Sequence, residues 1–317
     1  MKYRNQQCSH CLYPTLIRLE VETMLKRQKK RKTIFLFLLP ALVIYIGLAV
    51  VPILQSVWFA FFDWNGVSGS PLTFVGMANF GSVFQSKEFL HALKNVFVFA
   101  VLNLLIQIPL GYFLAYLLAD FCKGYRFFKT VFFSSVILPI TATALLFKLI
   151  FGSSNTGALN AVLMAAGVIQ KPQGWLIQES TALLFVILAN AWCGFGYHMT
   201  LGFAAINEIP VEILQVAKLD GATSLRKIVS IVIPMIWESL KISIVMIITG
   251  SIKIFDIVYI MTEGGPNGMT QVPAVMMYNE AFKYNHYGLG SAISVVIFIL
   301  CILMSVMSLR LMNKKVD

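Results

Sequence analysis

The sequence predicts an all-α membrane protein of six transmembrane helices with both termini in the cytoplasm. Three observations lead there. Of 317 residues, 58% are hydrophobic and 12% charged, against about 45–50% apolar and about 25% charged in an ordinary soluble domain. Mean hydropathy is +0.78, which leaves too few polar side chains to wet the surface of a compact soluble body. The apolar residues also gather in runs of about 20 or more, the length that a helix rising about 1.5 Å per residue needs to cross about 30 Å of hydrocarbon. The formal net charge of +11 does not make a nucleic-acid binder, because the basic residues lie mainly in the tails and connections that flank those runs.

In chain order the spans are Thr33 to Phe61, Val96 to Ala119, Val131 to Phe151, Ala182 to Ala205, Ile231 to Met261 and Leu289 to Leu311. The first has the basic flank of a signal peptide, but its apolar stretch far exceeds the about 7–15 residues of a signal core, so it reads as a retained helix. The fifth carries Glu238, Lys241, Lys253 and Asp256 and leaves Ile242 to Ile252 free of charge. Within it Glu238 and Lys241, and likewise Lys253 and Asp256, are three apart and can meet on one helix face. Placed near the two ends of the span, these pairs read as anchors rather than as a proton path.

Orientation follows from the basic residues. Nine precede Thr33, six of them in the run Lys26, Arg27, Lys29, Lys30, Arg31 and Lys32. With that run in the cytoplasm, Lys123, Arg126, Lys129, Lys218, Arg226, Lys227, Arg310, Lys314 and Lys315 also fall inside, eighteen in all, and the outer loops keep only Lys87, Lys94, Lys171 and Lys283. Basic loops stay on the cytoplasmic side. The run reads first as a topology determinant and second as a site for anionic membrane lipid.

The cysteines build no framework. Cys193 and Cys301 fall within spans as small packing residues, and Cys122 sits in a short inner loop. Cys8 and Cys11 flank His10, but no second cysteine pair stands near to complete four metal ligands. Met24 directly precedes the basic run, so residues 1–23 are a candidate start-site artefact. The domain reading is a basic tail over 1–32 and a six-span domain over 33–317.

Among the loops, Asp63 to His91 ends in the polar tip Gln85, Ser86, Lys87 and Glu88 and is placed over the outer mouth. Gly152 to Ser180 contains the apolar stretch Ala161 to Ile169, too short to cross and read as an interfacial or re-entrant helix. Gly264, Gly265 and Pro266 interrupt the chain after span five. The inner loop from about 208 to 234, EIPVEILQVAKLDGATSLRKIVSIVIP, is organised differently. Pro210 suits the start of a helix over Val211 to Leu219. Asp220 and Gly221 signal a turn, and Thr223 caps a second helix through Ile231. A helix–turn–helix with apolar side chains beside Glu212, Lys218, Arg226 and Lys227 fits either a docking surface or a plain amphipathic connector.

This loop resembles the signature cytoplasmic loop, the EAA motif, of permease subunits of binding-protein-dependent ABC importers. The matching positions are Gln215, Val216 and Ala217, then Asp220, Gly221 and Ala222, closed by Pro234. Gln215 stands where the motif has glutamate, and Val216 where it has alanine. The likeness extends from about Thr33 to Lys315 and points to the carbohydrate branch, that of maltose, glycerol-phosphate and multiple-sugar permeases. It includes FVGMANF from Phe74 to Phe80, then Ala92, Leu93, Lys94 and Asn95. It continues with Gly124, Arg126 and Pro139, with Phe255, Asp256, Thr262, Gly264, Gly265 and Pro266, and with Tyr287, Gly288, Ser291 and Ala292.

The resemblance implies the type I ABC importer permease fold and the role of a transport subunit for a sugar or oligosaccharide, with no covalent chemistry of its own. Its implied partners are a second homologous permease, two cytoplasmic ATPase subunits that use ATP and magnesium, and an extracytoplasmic solute-binding protein. The chain itself contains no G-x-x-x-x-G-K-[ST] phosphate loop, which agrees with an ATPase supplied by others. Coupling to that ATPase is expected from Glu212, Leu214, Gln215, Ala217, Asp220, Gly221, Ala222 and Arg226. Asn103, Gln107, Asn190, Trp192, Tyr197, His198 and Thr200 bring amides, hydroxyls and aromatic faces to membrane depth. They fit either a sugar path or interhelical hydrogen bonding. No metal site is expected at His198. Two other classes remain beside the importer: a secondary sugar transporter, which needs its own ion site and a two-half repeat, and a membrane scaffold without a substrate path.

Overall fold

The computed structural model describes residues 34–120 and 124–313. The basic run Lys26 to Lys32, the Cys8–His10–Cys11 group, Cys122, Lys123, Lys314 and Lys315 lie outside these residues. Two compact units follow one another, residues 1–56 and 57–317. The helix α1 (Ile34–Phe59) begins in the first and ends in the second, and contains a π-helical stretch at Ile46–Val50 that ends with the Val51 amide bonded to the Ile46 carbonyl. Pro52 follows directly, and a widened turn accommodates a ring that would otherwise press on the preceding carbonyls.

After the last turn of α1, the second unit continues with a short antiparallel hairpin, β1 (Phe62–Asp63) and β2 (Thr73–Phe74), with Phe62 opposite Phe74. Next come α2 (Ala78–Gln85) and the long α3 (Lys87–Asp120). Sequence reading placed all of this up to His91 in a loop. The structure instead starts α3 at Lys87, where the Ser86 hydroxyl accepts the Phe89 amide at 3.2 Å and caps the helix.

After α3 the chain forms α4 (Tyr125–Ile137) and α5 (Ile140–Ile150). Then follow α6 (Ala158–Ala165), α7 (Ala182–Asn207) and α8 (Val211–Leu219). Next are α9 (Leu225–Met235), α10 (Trp237–Ile252) and α11 (Asp256–Thr262). Finally come α12 (Pro273–Tyr278) and α13 (Tyr287–Asn313).

Four helices, α1, α3, α7 and α13, are each long and apolar enough to cross a membrane, and there are six spans when each of two bent pairs counts as one. The expected third and fifth spans are those pairs. Val131 to Phe151 is not one rod: α4 and α5 meet at 94°, because Leu138 precedes Pro139 and takes an extended ψ of 133°. In the fifth, α9 and α10 meet at 76° across Ile236, whose φ and ψ of −94° and 13° break the helix two residues after Pro234. The helix then stops at Ile252, so Lys253 and Asp256 do not share a helix face as the spacing suggested. The apolar stretch Ala161 to Ile169 is likewise helical only in part, through α6.

Packing centres on α3 against α7. Phe89, Phe99, Val186, Ile187, Ile257, Val275 and Ile293 form one buried cluster, and Tyr112, Ala115, Met199, Ile206, Ile236 and Leu240 a second. Cys193 and Cys301 pack at the edge of the first. Large apolar side chains on the outer faces, such as Leu105, Phe113, Leu149 and Leu303, remain exposed, as a lipid-facing bundle requires.

Small residues set the helix spacing. A β-carbon on Gly196 would come within 2.4 Å of the Phe132 carbonyl of α4, and one on Gly202 within 2.9 Å of the Tyr112 ring of α3. On α3, one on Gly111 would lie 3.0 Å from the Met199 amide. Without a hydrophobic drive between helices in lipid, such close approach supplies the van der Waals contact that holds them. Gly196→Val is therefore expected to lower the unfolding free energy in detergent by about 1–3 kcal/mol. Gly250→Val, at a position where a β-carbon meets nothing within 4 Å, is expected to be near neutral. Equal effects in a denaturant titration would refute the seam.

Candidate functional site

The loop after α7 folds as a helix, a turn and a second helix. Pro210 stands immediately before α8, and its carbonyl accepts the Ile213 amide at 3.2 Å. At the other end the Ala222 amide bonds the Ala217 carbonyl at 3.0 Å, across Gly221 at a φ of 74°. This is a Schellman-type stop, in which the residue after the cap must take left-handed backbone. A β-carbon on Gly221 would meet nothing within 4 Å, so the turn, and not crowding, requires glycine there. Thr223 then starts the second helix, its hydroxyl accepting the Arg226 amide at 3.4 Å.

The coupling residues expected from the sequence divide between two faces. Glu212, Gln215, Asp220, Gly221 and Arg226 are exposed and Ala222 half-buried. Leu214 and Ala217 turn inward instead, Ala217 being buried and Leu214 packing on the cluster around Tyr112 and Ile236. The outward apolar surface belongs mainly to Leu219 and Leu225, which the sequence reading did not single out. Leu219 is 86% exposed and Leu225 73%, with Val216 beside them.

Lys227 also faces the bundle. Its Nζ lies 2.6 Å from Asp120 Oδ2 and 5.4 Å from the centre of the Tyr116 ring, while the Tyr116 hydroxyl donates to the same Asp120 oxygen at 2.9 Å. The loop is thereby tied to the last turn of α3. Sequence reasoning missed Asp120 because it falls one residue beyond the apolar run that ends at Ala119. An acidic residue at a span end opposite a basic loop was the available signal.

The polar cluster at mid-helix is not one surface either. Asn103 is fully buried. Its side-chain oxygen accepts from Gln107 Nε2 at 2.7 Å and from Asn190 Nδ2 at 3.1 Å, while its own amide donates to the Phe99 carbonyl at 2.8 Å. These three residues form a hydrogen-bonded rung between α3 and α7. Thr200 donates within its own helix to Gly196 at 3.0 Å. Trp192 meets Phe147 of α5 with ring centres 5.5 Å apart, Tyr197 is exposed and His198 buried. The imidazole Nδ1 of His198 has no hydrogen-bond partner in the protein. Among the described residues no group of three or more His, Cys, Asp or Glu is placed to hold a metal ion. In α10, Lys241 Nζ and Glu238 Oε1 meet at 2.5 Å, with Lys241 buried and Glu238 largely exposed.

Membrane-length helices packed through small residues, and a helix–turn–helix tied to the end of α3, define a multi-pass α-helical membrane protein of the permease class. Residues 107–317 match the model of the family described as binding-protein-dependent transport system inner membrane component. The chain is 36% identical to the probable ABC transporter permease protein YurN of Bacillus subtilis, over 87% of this chain and 94% of that one. It is 29% identical to the multiple sugar-binding transport system permease protein MsmF of Streptococcus mutans, over 88% and 94%. A crystal structure of a bacterial ABC transporter involved in import of the acidic polysaccharide alginate contains a chain of the same fold, with a TM-score of 0.80, 21% identity, and coverage of 93% of this chain and all of that one. The protein belongs to the binding-protein-dependent inner-membrane permease family.

The tie between loop and bundle is open to direct test. In a double-mutant cycle on the unfolding free energy, Asp120→Asn and Lys227→Met are expected to show a coupling of about 1 kcal/mol, the upper range for a pair that is partly exposed. Strictly additive effects would show that the two side chains do not hold the loop.

Proposed function

We propose that this chain is one of the two permeases of an ATP-driven importer for a sugar or oligosaccharide. In this reading it has six spans, both termini in the cytoplasm, and the loop over about 208–234 as its coupling element. Each bent pair crosses the membrane as one span. A solute-binding protein delivers substrate from outside, a second permease completes the pathway, and two cytoplasmic ATPase subunits hydrolyse ATP. The carbohydrate class is supported by the multiple-sugar system to which the relative MsmF belongs.

The observation that carries the proposal is the split of the coupling loop into an inner and an outer face. Leu214 seats the first helix on the bundle, Ala217 is buried, and Lys227 ties the second to α3. Leu219, Leu225 and Val216 face outward beside Glu212, Gln215, Asp220 and Arg226. An apolar patch rimmed by polar groups is a docking surface for another protein. Closure of the ATPases would push on that patch, and the inward side chains would pass the displacement to α3 and α10. The pathway then opens to alternate sides. Substrate contact falls to Trp192, Tyr197, His198 and Thr200 before the rung of Asn103, Gln107 and Asn190, whose hydrogen bonds are largely committed to one another.

A reconstituted complex of both permeases and the ATPase is expected to take up sugar only with ATP and the binding protein, and not when either permease is omitted. Uptake driven by a proton gradient without the ATPase would favour a secondary transporter instead. Gly221→Val, which forces a β-branched residue into left-handed backbone at a local cost of about 1 kcal/mol or more, is expected to leave the protein in the membrane and abolish coupled uptake. Gly221→Asn, a residue that tolerates this conformation, is expected to retain most of it. Equal uptake by both variants at equal membrane levels would refute the role of the turn.

A further inference from the structure

The start of α4 carries the sequence YRFFK from Tyr125 to Lys129. Tyr125, Arg126, Phe127 and Phe128 are exposed, and Lys129 is half-buried. The Lys129 Nζ lies 4.8 Å from the centre of the Phe203 ring of α7, and the Tyr125 ring stacks on the same phenyl group with centres 5.5 Å apart. Phe203 stands one turn before the end of α7 at Asn207. The contact therefore lies at the end of the bundle from which the loop over 208–234 emerges.

Charge at this place is unbalanced. No acidic residue occurs in the sequence between Asp120 and Glu179, while Lys123, Arg126 and Lys129 fall close together. Asp120 itself bonds Lys227. Among the described residues, neither Arg126 nor Lys129 forms a salt bridge. A topology signal needs only basic residues on one side of the membrane. It does not need an ammonium held over an aromatic face, a contact that fixes an otherwise flexible side chain. Arg126 and Lys129 are also three apart and share one face of α4. Phe133 and Ile137 continue that face toward the bend, Phe133 half-buried and Ile137 65% exposed.

We propose that this stripe, together with Phe203, binds an anionic phospholipid, its headgroup on Arg126 and Lys129 and an acyl chain along Phe133 and Ile137. Basic groups between helices at the cytoplasmic face attract anionic headgroups. The planar guanidinium of Arg126 matches phosphate oxygens, and Lys129 adds a second charge from a fixed position. Tyr125 lies at headgroup level, where amphipathic rings settle. A free phosphate would satisfy the two cations and leave the apolar half of the stripe bare. An acidic protein surface is disfavoured for the same reason, since the stripe runs on from the charges toward membrane depth. With the site filled, α4 is held against α7 at the point where α7 hands over to the loop. The inference rests on the importer reading only for the cytoplasmic placing of this end and for the effect on uptake.

The test titrates the purified full chain in detergent with phosphatidylglycerol, phosphatidylcholine or inorganic phosphate, read by native mass spectrometry. Phosphatidylglycerol is expected to bind in preference to phosphatidylcholine and far more tightly than phosphate. Arg126→Gln with Lys129→Gln is expected to weaken phosphatidylglycerol binding by about 30-fold, about fivefold for each charge. Arg310→Gln with Lys314→Gln removes the same charge elsewhere and is expected to leave that binding nearly unchanged. Phe203→Leu keeps both cations and is expected to cost about threefold. Should the first double variant not fold, Arg126→Gln alone, at an exposed position, is expected to show about a fivefold loss. Equal loss in both double variants reduces the stripe to diffuse charge and overturns the site. No preference for phosphatidylglycerol, phosphate binding as tight as the lipid's, or unchanged binding in the folded variants also overturns it. In proteoliposomes of the assembled transporter, a loss of uptake by the first double variant that is equal with and without phosphatidylglycerol assigns the stripe to a protein partner and overturns the lipid site. ATP-driven uptake without any headgroup preference removes the lipid site and leaves the importer reading standing. Specific lipid binding without ATP-driven uptake does the reverse.

Discussion

The close approach of α3 and α7 is the constraint on which the rest of this structure depends. In hydrocarbon, neither helix gains by hiding apolar surface from water, so association must come from contact and hydrogen bonds. Gly111, Gly196 and Gly202 remove the side chains that would hold the backbones apart. Asn103 and Asn190 then hydrogen-bond across the gap. From this seam the Tyr112 hydroxyl reaches Ser239 and Ser243 of α10, at 2.9 and 3.0 Å. The broken fifth span is thereby attached to the same pair of helices.

The loop over 208–234 is held to the same helices. Its signature positions do not form one contact surface, as a linear motif suggests. Leu214 packs on the bundle and Ala217 is buried, Gly221 shapes the turn, and Leu219 and Leu225 stay exposed. That division explains how Gln215 and Val216 can depart from the pattern without loss of the local fold. Neither is buried, and the Ala217 to Ala222 backbone bond that closes the helix depends on the turn residue and not on them.

Much of this was legible in the sequence, and for identifiable reasons. The apolar runs marked where helices cross, and Asp220, Gly221 and Thr223 marked the turn, because both signals are local. The bends at Pro139 and Ile236 were not legible from hydropathy, which counts apolar residues but carries no direction. The Asn190 to Thr200 patch looked continuous in sequence, yet a helix turns about 100° per residue and spreads such a patch around its circumference. Trp192 therefore meets α5 while Asn190 meets α3. Pairings between distant residues, Asp120 with Lys227 and Asn95 with the carbonyls of Met269 and Gln271, could be found only in three dimensions.

Those last two pairings sit near opposite ends of α3, about 38 Å apart at helical rise. Between them lies Pro109, inside the helix. Its ring nitrogen carries no hydrogen, so the Leu105 carbonyl lacks the usual intrahelical donor at that point and the rod is weakest there. A strut fastened at both tips and softened in the middle bends there before it gives way at either end.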